Sequence, residues 1–254
     1  MKTTKKTTKK NVNIFVVLII ILAVLIVAMI ALTQAKKIEI HNKVNNYIAH
    51  EYGEKGSEKL VHKVGTYQYT NQTFDIWESE NYMYDVATGY IYDNVRNTEN
   101  NKVVTESITA LLDGKADGSE ATGAVLSTYT ESEDYSKEYN EFIVYYVANT
   151  EKVISSTDEA AAFIWEMVEA VNAVEPVTGI QINLFDNENE YTCYINAFED
   201  TTPITFDEVK EATLLTTEKS YMYQVWQSSL EAAVVEGDTA EGENADASAE
   251  NEAE

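Results

Sequence analysis

Residues 14–32, IFVVLIIILAVLIVAMIAL, are nineteen side chains drawn only from Ile, Val, Leu, Ala, Phe and Met. As a helix rising 1.5 Å per residue the run is about 28 Å long, close to the ~30 Å hydrocarbon thickness of a bilayer. A helix pairs its backbone amides within itself, which lipid demands. The run is apolar all round rather than along one stripe, so it lacks the pattern of a helix lying on a soluble core. It predicts a transmembrane helix over 14–33. A cleaved signal peptide has an apolar region of ~7–15 residues with small residues before the cut. This run is longer, and Thr33-Gln34-Ala35 lacks the usual small residue at its −3 position. A lipoprotein anchor would need a cysteine just after the run, but the single cysteine is Cys193. The expectation is a retained, single-pass signal anchor that meets the lipid bilayer through Ile14–Leu32.

Outward from this run the charge changes sign. Residues 1–37 hold seven lysines and no acid, and the first acid is Glu39. The other 217 residues carry all 43 acids and the remaining 11 bases, a balance of −32. Five lysines precede the run and two come after it, so the positive-inside bias makes 1–13 a basic cytoplasmic segment. The bulk of the chain is then extracytoplasmic, at the cell membrane, in an arrangement common on Gram-positive bacteria. The sequon Asn71-Gln72-Thr73 leaves the cell type open. So acidic a chain keeps no basic face for phosphates, which argues against a nucleic-acid partner.

Beyond the run the pattern predicts an α+β fold: antiparallel sheet with helices packed on one face. A first part, 38–97, begins with a helix over 38–54 carrying Ile40, Val44, Tyr47, Ile48 and Tyr52 at helical spacing, ended by Gly53. A meander rich in Tyr, Val, Thr and Trp comes next. Asn94–Lys102 reads as a polar linker. A second part, 103–230, opens with a short helix through Val104, Ile108 and Leu112. The strand Phe142–Val147 is apolar throughout, as if mid-sheet and covered on both faces. Thr157–Val174 is the clearest helix, with Ser156 and Glu159 as a capping box. Ile180–Leu184 and Tyr191–Phe198 read as a hairpin. Thr205 and Glu208 cap a helix to about Leu215, and Lys219–Leu230 has helical spacing again. From Glu231 the chain has nine acids and no aromatic in 24 residues. That composition cannot offset the entropy of ordering, so 231–254 is expected to be a disordered acidic tail.

Within 40–93, a helix, then strands, then Tyr84-Asp85-Val86-Ala87-Thr88-Gly89-Tyr90-Ile91 resembles the PepSY-like extracytoplasmic modules, which often end in an Asp-x-x-Thr-Gly turn. The resemblance implies a helix on a small sheet with a regulatory or inhibitory, non-catalytic role.

Few residues carry chemistry. His41, His50 and His62 show no metal-ligand spacing, and exposed or interfacial positions suit them. Cys193 lies in an alternating strand more than 130 residues from any histidine, as a small buried hydrophobe does. Asp113–Gly118 begins like a calcium loop, but Lys115 takes a ligand position and Ala124 stands where the bidentate Glu belongs. Asp186–Glu190 lacks the bend glycine. No Gly-x-Ser-x-Gly or phosphate loop occurs. The expectation is therefore no catalytic residue, no cofactor and no metal. The Tyr-rich strands offer one candidate binding face, Tyr67, Tyr69, Tyr82, Tyr84, Tyr90 and Tyr92, set against the plainer reading that tyrosine suits a half-wet sheet. The function expected is a membrane-anchored, non-catalytic module that binds or regulates another envelope protein. The alternatives are an anchored hydrolase using two of the 34 carboxylates between 38 and 230, or a domain responding to divalent cations gathered by its negative field.

Overall fold

The computed structural model describes residues 5–66, 72–113, 119–149 and 152–230. Tyr67, Tyr69, Asn71 of the sequon, positions 114–118 of the first calcium-like loop and the acidic tail 231–254 lie outside the described residues. The fold is α+β and divides into two units: Met1–Tyr92 with Thr130–Ser136, and Asp93–Tyr129 with Lys137–Glu254.

In the first unit one helix, α1 (Lys5–Tyr52), replaces the two expected. Residues 33–37 contain neither Gly nor Pro, so nothing interrupts the hydrogen-bond ladder between the apolar run and the amphipathic turns beyond it. Gly53, at φ +67°, ends the helix in the left-handed region. Every side chain of Ile14–Leu32 is exposed. The picture reverses at Ile40, Val44, Tyr47 and Ile48, which are buried against Leu60, Trp77, Tyr82, Tyr84 and Ile91. These come from a meander of β1 (Val61–Thr66), β2 (Thr73–Glu78), β3 (Tyr82–Asp85) and β4 (Tyr90–Asp93), hydrogen-bonded in chain order. The β3–β4 turn explains its own sequence. Asp85 Oδ1 accepts the amides of Ala87 and Thr88, the Gly89 amide donates to the Asp85 carbonyl, and Gly89 sits at φ +77°.

The second unit opens with α2 (Asn94–Asp113), and the expected polar linker 94–102 is its first half. The asparagines have a structural use here. Asn97 both donates to the Thr128 carbonyl and accepts the Thr128 amide, and Asn101 accepts the Leu126 amide, so these side chains bond the backbone of the strand that carries Leu126 and Thr128. Then come β5 (Ser119–Thr122), β6 (Val125–Glu131), β7 (Asp134–Asn149), α3 (Thr157–Asn172), β8 (Gly179–Asp186), β9 (Glu190–Ile195), α4 (Phe206–Ala212), β10 (Thr213–Leu215) and a helix over 221–230, α5. Strands run in the order β6-β7-β8-β9-β10, with β5 also paired to β7.

This sheet is mixed rather than antiparallel: β7 and β8 are parallel, because α3 crosses between them as the return connection. The apolar stripe of α3, with Ala160, Ile164, Met167, Val168 and Val171, is fully buried against Phe142, Val144, Ile180, Ile182 and Leu184. Each of the larger aliphatic side chains contributes about 1.5–3 kcal/mol. Two helix ends differ from expectation. Ser156 accepts the Glu159 amide, but the Glu159 carboxylate turns to the amide and hydroxyl of Ser155 instead of closing the box. Thr205 and Glu208 do form a complete capping box, yet α4 stops at Ala212 because Thr213–Leu215 pairs with β9 as a strand.

Candidate functional site

Tyr82 and Tyr84 point under α1 and are 7% and 5% exposed, so neither is available to a ligand. Tyr47 meets Tyr82 and Tyr135 edge-on at ring-centroid distances of 6.3 and 5.9 Å, which makes tyrosine a core residue of this unit. Lys43 lies over the Tyr84 ring and reaches Glu133 at 2.6 Å; that carboxylate holds its ammonium well above the usual lysine range. Tyr90 and Tyr92 are half-buried on the alternate face. Of the six expected tyrosines, Tyr82 and Tyr84 are thus buried and Tyr90 and Tyr92 half-buried, and Tyr67 and Tyr69 lie outside the described residues.

The three histidines are spread along the first unit. His41 donates from Nδ1 to the Lys37 carbonyl at 2.8 Å and accepts the Leu60 amide at Nε2. His62 stacks on Trp77 and meets Asp75 at 2.7 Å, while His50 lies beside Tyr135. Cys193 is 1% exposed, and burial pushes its thiol pKa up, away from a nucleophile's range. The second calcium-like loop spends its leading carboxylate on backbone. Asp186 accepts the amides of Ile154, Glu188 and Asn189 and the side-chain amide of Asn189. Among the described residues no three His, Cys, Asp or Glu converge as a metal site.

A surface the sequence reading missed lies on the sheet of the second unit. Alternation along β7, β8 and β9 sends Phe142, Val144, Ile180, Ile182, Leu184, Tyr191 and Cys193 toward α3. The opposite face carries Glu141, Ile143 and Tyr145 on β7, Gln181 and Asn183 on β8, and Thr192 and Tyr194 on β9. Leu214 joins them beside Thr192. One end of this face is closed by α5: Tyr223 and Trp226 pack on Ala148 and Phe185, and Tyr146 stacks on Phe185. The rest is open. Tyr145 is 55%, Tyr194 62% and Leu214 61% exposed.

Tyr145 is held in place. A β-bulge between Val144 and Val147 shifts the register just where Tyr145 leaves the sheet. The Tyr145 carbonyl accepts Asn183 Nδ2 at 2.8 Å. Its ring lies over Gly123, where a Cβ would stand 2.1 Å from ring carbon Cδ2. Farther along, Phe198 meets Tyr129 and Tyr139 at centroid distances of 5.2 and 5.7 Å. Burial raises the pKa of Glu141 above the ordinary carboxylate value. The expectation that Phe142–Val147 is covered on both faces thus holds only beyond the bulge. The alternation of Gln181 and Asn183 with isoleucines was the sequence signal for a wet face beside it.

A cleft of about 420 Å³ lies at the α4 edge, lined by Tyr194, Asn196, Glu199, Glu208 and Glu211 among others. Two of these carboxylates are engaged: Glu208 in the cap of α4, and Glu199 with Asn196 Nδ2. Compared with protein-family models, with curated proteins and with solved structures, the chain finds no match.

Proposed function

We propose that the chain is a membrane-anchored, extracytoplasmic, non-catalytic module that binds another envelope protein through the open sheet face around Tyr145, Tyr194 and Leu214. The observation that carries this reading is the face itself: the exposed rings of Tyr145 and Tyr194, amide side chains and one exposed aliphatic residue on a packed sheet. Tyrosine offers large contact area with little conformational entropy to lose, which suits it to protein interfaces. The anchor half of the proposal draws on the 19-residue apolar run, exposed along its length and continuous with the helix that forms the core of the first unit. The lysine bias supplies the orientation, N-terminus inside. The PepSY-like resemblance of 40–93 agrees with a regulatory rather than catalytic role.

The test uses the full-length chain in its native membranes. Chemical cross-linking and mass spectrometry should recover one envelope protein with the wild type. The double variant Tyr145→Ala, Tyr194→Ala should lose it while melting within a few degrees of wild type. The chain should resist carbonate extraction, and protease added to intact cells should digest it. Recovery of the same partner with the double variant would overturn the assigned face. Envelope-glycan cleavage abolished by Glu199→Gln or Glu211→Gln would favour the hydrolase instead.

A further inference from the structure

We infer that the far end of the β1–β2 hairpin, at Val64–Thr66 and Thr73–Phe74, rests on the bilayer at headgroup depth and gives the first unit a second lipid contact beside its helix. This inference rests on the anchor reading and deepens it.

The argument is a ladder of contacts along α1. The Glu58 amide donates to Asn45 Oδ1 at 3.0 Å, and the Leu60 amide donates to His41 Nε2 at 3.2 Å. Two residues of chain therefore step four residues back along the helix. Extended chain covers about 6.6 Å in two residues and a helix about 6 Å in four, so the two run side by side in opposite senses. The hairpin is heading back toward the apolar run. Lys36 confirms the direction: its Nζ lies 3.8 Å from Asp75, which is the strand partner of Val64. Continued at the same pitch, the ladder sets Val64 level with about helix position 33 and Thr66 level with about position 29. The last apolar residue of the span is Leu32. If that span fills the hydrocarbon, the hairpin end stands at its outer boundary.

The side chains there suit an interface between lipid and water. Val64 shares the strand face of His62, which stacks on Trp77, and Trp77 packs in the core formed with α1. Val64 thus faces the helix side, yet it is 67% exposed. The neighbouring pair is Gly65 and Phe74, and a Cβ on Gly65 would stand 2.6 Å from the Phe74 ring, so the aromatic covers the glycine. The charge fits as well. Residues 36–63 hold six lysines against four acids, whereas from 64 onward 39 acids face seven bases.

Depth-dependent quenching decides the matter. Single cysteines are introduced into the full-length chain as Val64→Cys, Glu80→Cys and Leu22→Cys and labelled with an environment-sensitive fluorophore; the native Cys193 is buried. Each is reconstituted into vesicles of zwitterionic and anionic phospholipid carrying a nitroxide either on the headgroup or deep in the acyl chain. Glu80 adjoins Asn81, whose side chain donates to Glu58, so its end of the hairpin is level with Asn45, about 18 Å above Val64. The headgroup nitroxide should quench Val64→Cys at least threefold more than Glu80→Cys, and the deep nitroxide should quench Leu22→Cys. Deep quenching at Leu22 with equal quenching at Val64 and Glu80 would overturn this inference and leave the anchor standing. No quenching at Leu22 would overturn both.

Discussion

Tyr223 donates its hydroxyl to the main-chain carbonyl of Asp186 at 2.9 Å, and the carboxylate of that same aspartate gathers four N–H groups from Ile154, Glu188 and Asn189. One fully buried turn residue thus ties α5, the β8–β9 hairpin and the lead-in to α3 together. Lys219, just before α5, and Gln227 within it add bonds to the carbonyls of Glu188 and Asn187. Asp186→Ala strands buried amides and is expected to cost about 3 kcal/mol, whereas Tyr223→Phe removes a single hydroxyl and should cost about 1 kcal/mol. Urea unfolding of the two variants checks the ranking. Equal costs would mean that the carboxylate does not organise the turn.

Arg96 holds a second junction. Its guanidinium makes a forked pair of bonds to Glu138 and two further bonds to Glu175, with only 17% of its side chain exposed. Burial alone would lower its pKa, but the two carboxylates outweigh that and the net shift is upward. With the folded value raised, the arginine's contribution is present throughout the accessible pH range, so no loss is expected on mild alkalinisation. Arg96→Met leaves two half-buried carboxylates facing each other and should cost about 3–5 kcal/mol. Arg96→Lys keeps the charge but loses the fork, and should fall between. Chemical denaturation of both variants reads this directly.

Glu159 supplies a pH signature. Lys152 first, and then the hydroxyl and amide of Ser155, hold its carboxyl down at about 2 from an ordinary 4.5. A depressed folded value means that its stabilising contribution is complete above about pH 4.5 and is lost as pH falls through about 2. The pair is solvent-exposed, so the effect on global stability is small. The site itself should show the shift: a carboxyl-carbon NMR titration should place Glu159 near pH 2, and Lys152→Met should move it toward the ordinary value. A titration unchanged by Lys152→Met would show that Ser155 alone is responsible.

Where a segment's partners lie within its own pattern, the chain declares its structure. The stripe of α3, predicted over 157–174 and found over Thr157–Asn172, and the hairpin of β8 and β9 are of that kind. Where partners are distant, the pattern is silent. The asparagines of 94–101 look like a loop until Thr128 and Leu126 are there to bond them. Tyr82 and Tyr84 alternate as a surface pair would, and only the packing of α1 shows that their face is the inner one. Tyr145 sits in an apolar strand whose second face is covered or bare according to where α5 ends. Parallel pairing of β7 with β8 also comes from the α3 crossover rather than from either strand's composition.

The continuity of α1 makes the first unit depend on residues that lie just past the apolar run on the same helix. Ile40, Val44, Tyr47 and Ile48 are at most 8% exposed and provide the helix side of that unit's core. Removing four such side chains deletes at least ~6 kcal/mol of burial, comparable to the whole stability of a small domain. A chain beginning at residue 36 keeps them. A chain beginning at residue 54 does not. Hydrogen exchange should therefore show β2 and β3 protected in 36–230 and exchanging freely in 54–230, while α3 and β8 stay protected in both. Protection of β2 in the shorter chain would show that the meander holds its core without the helix.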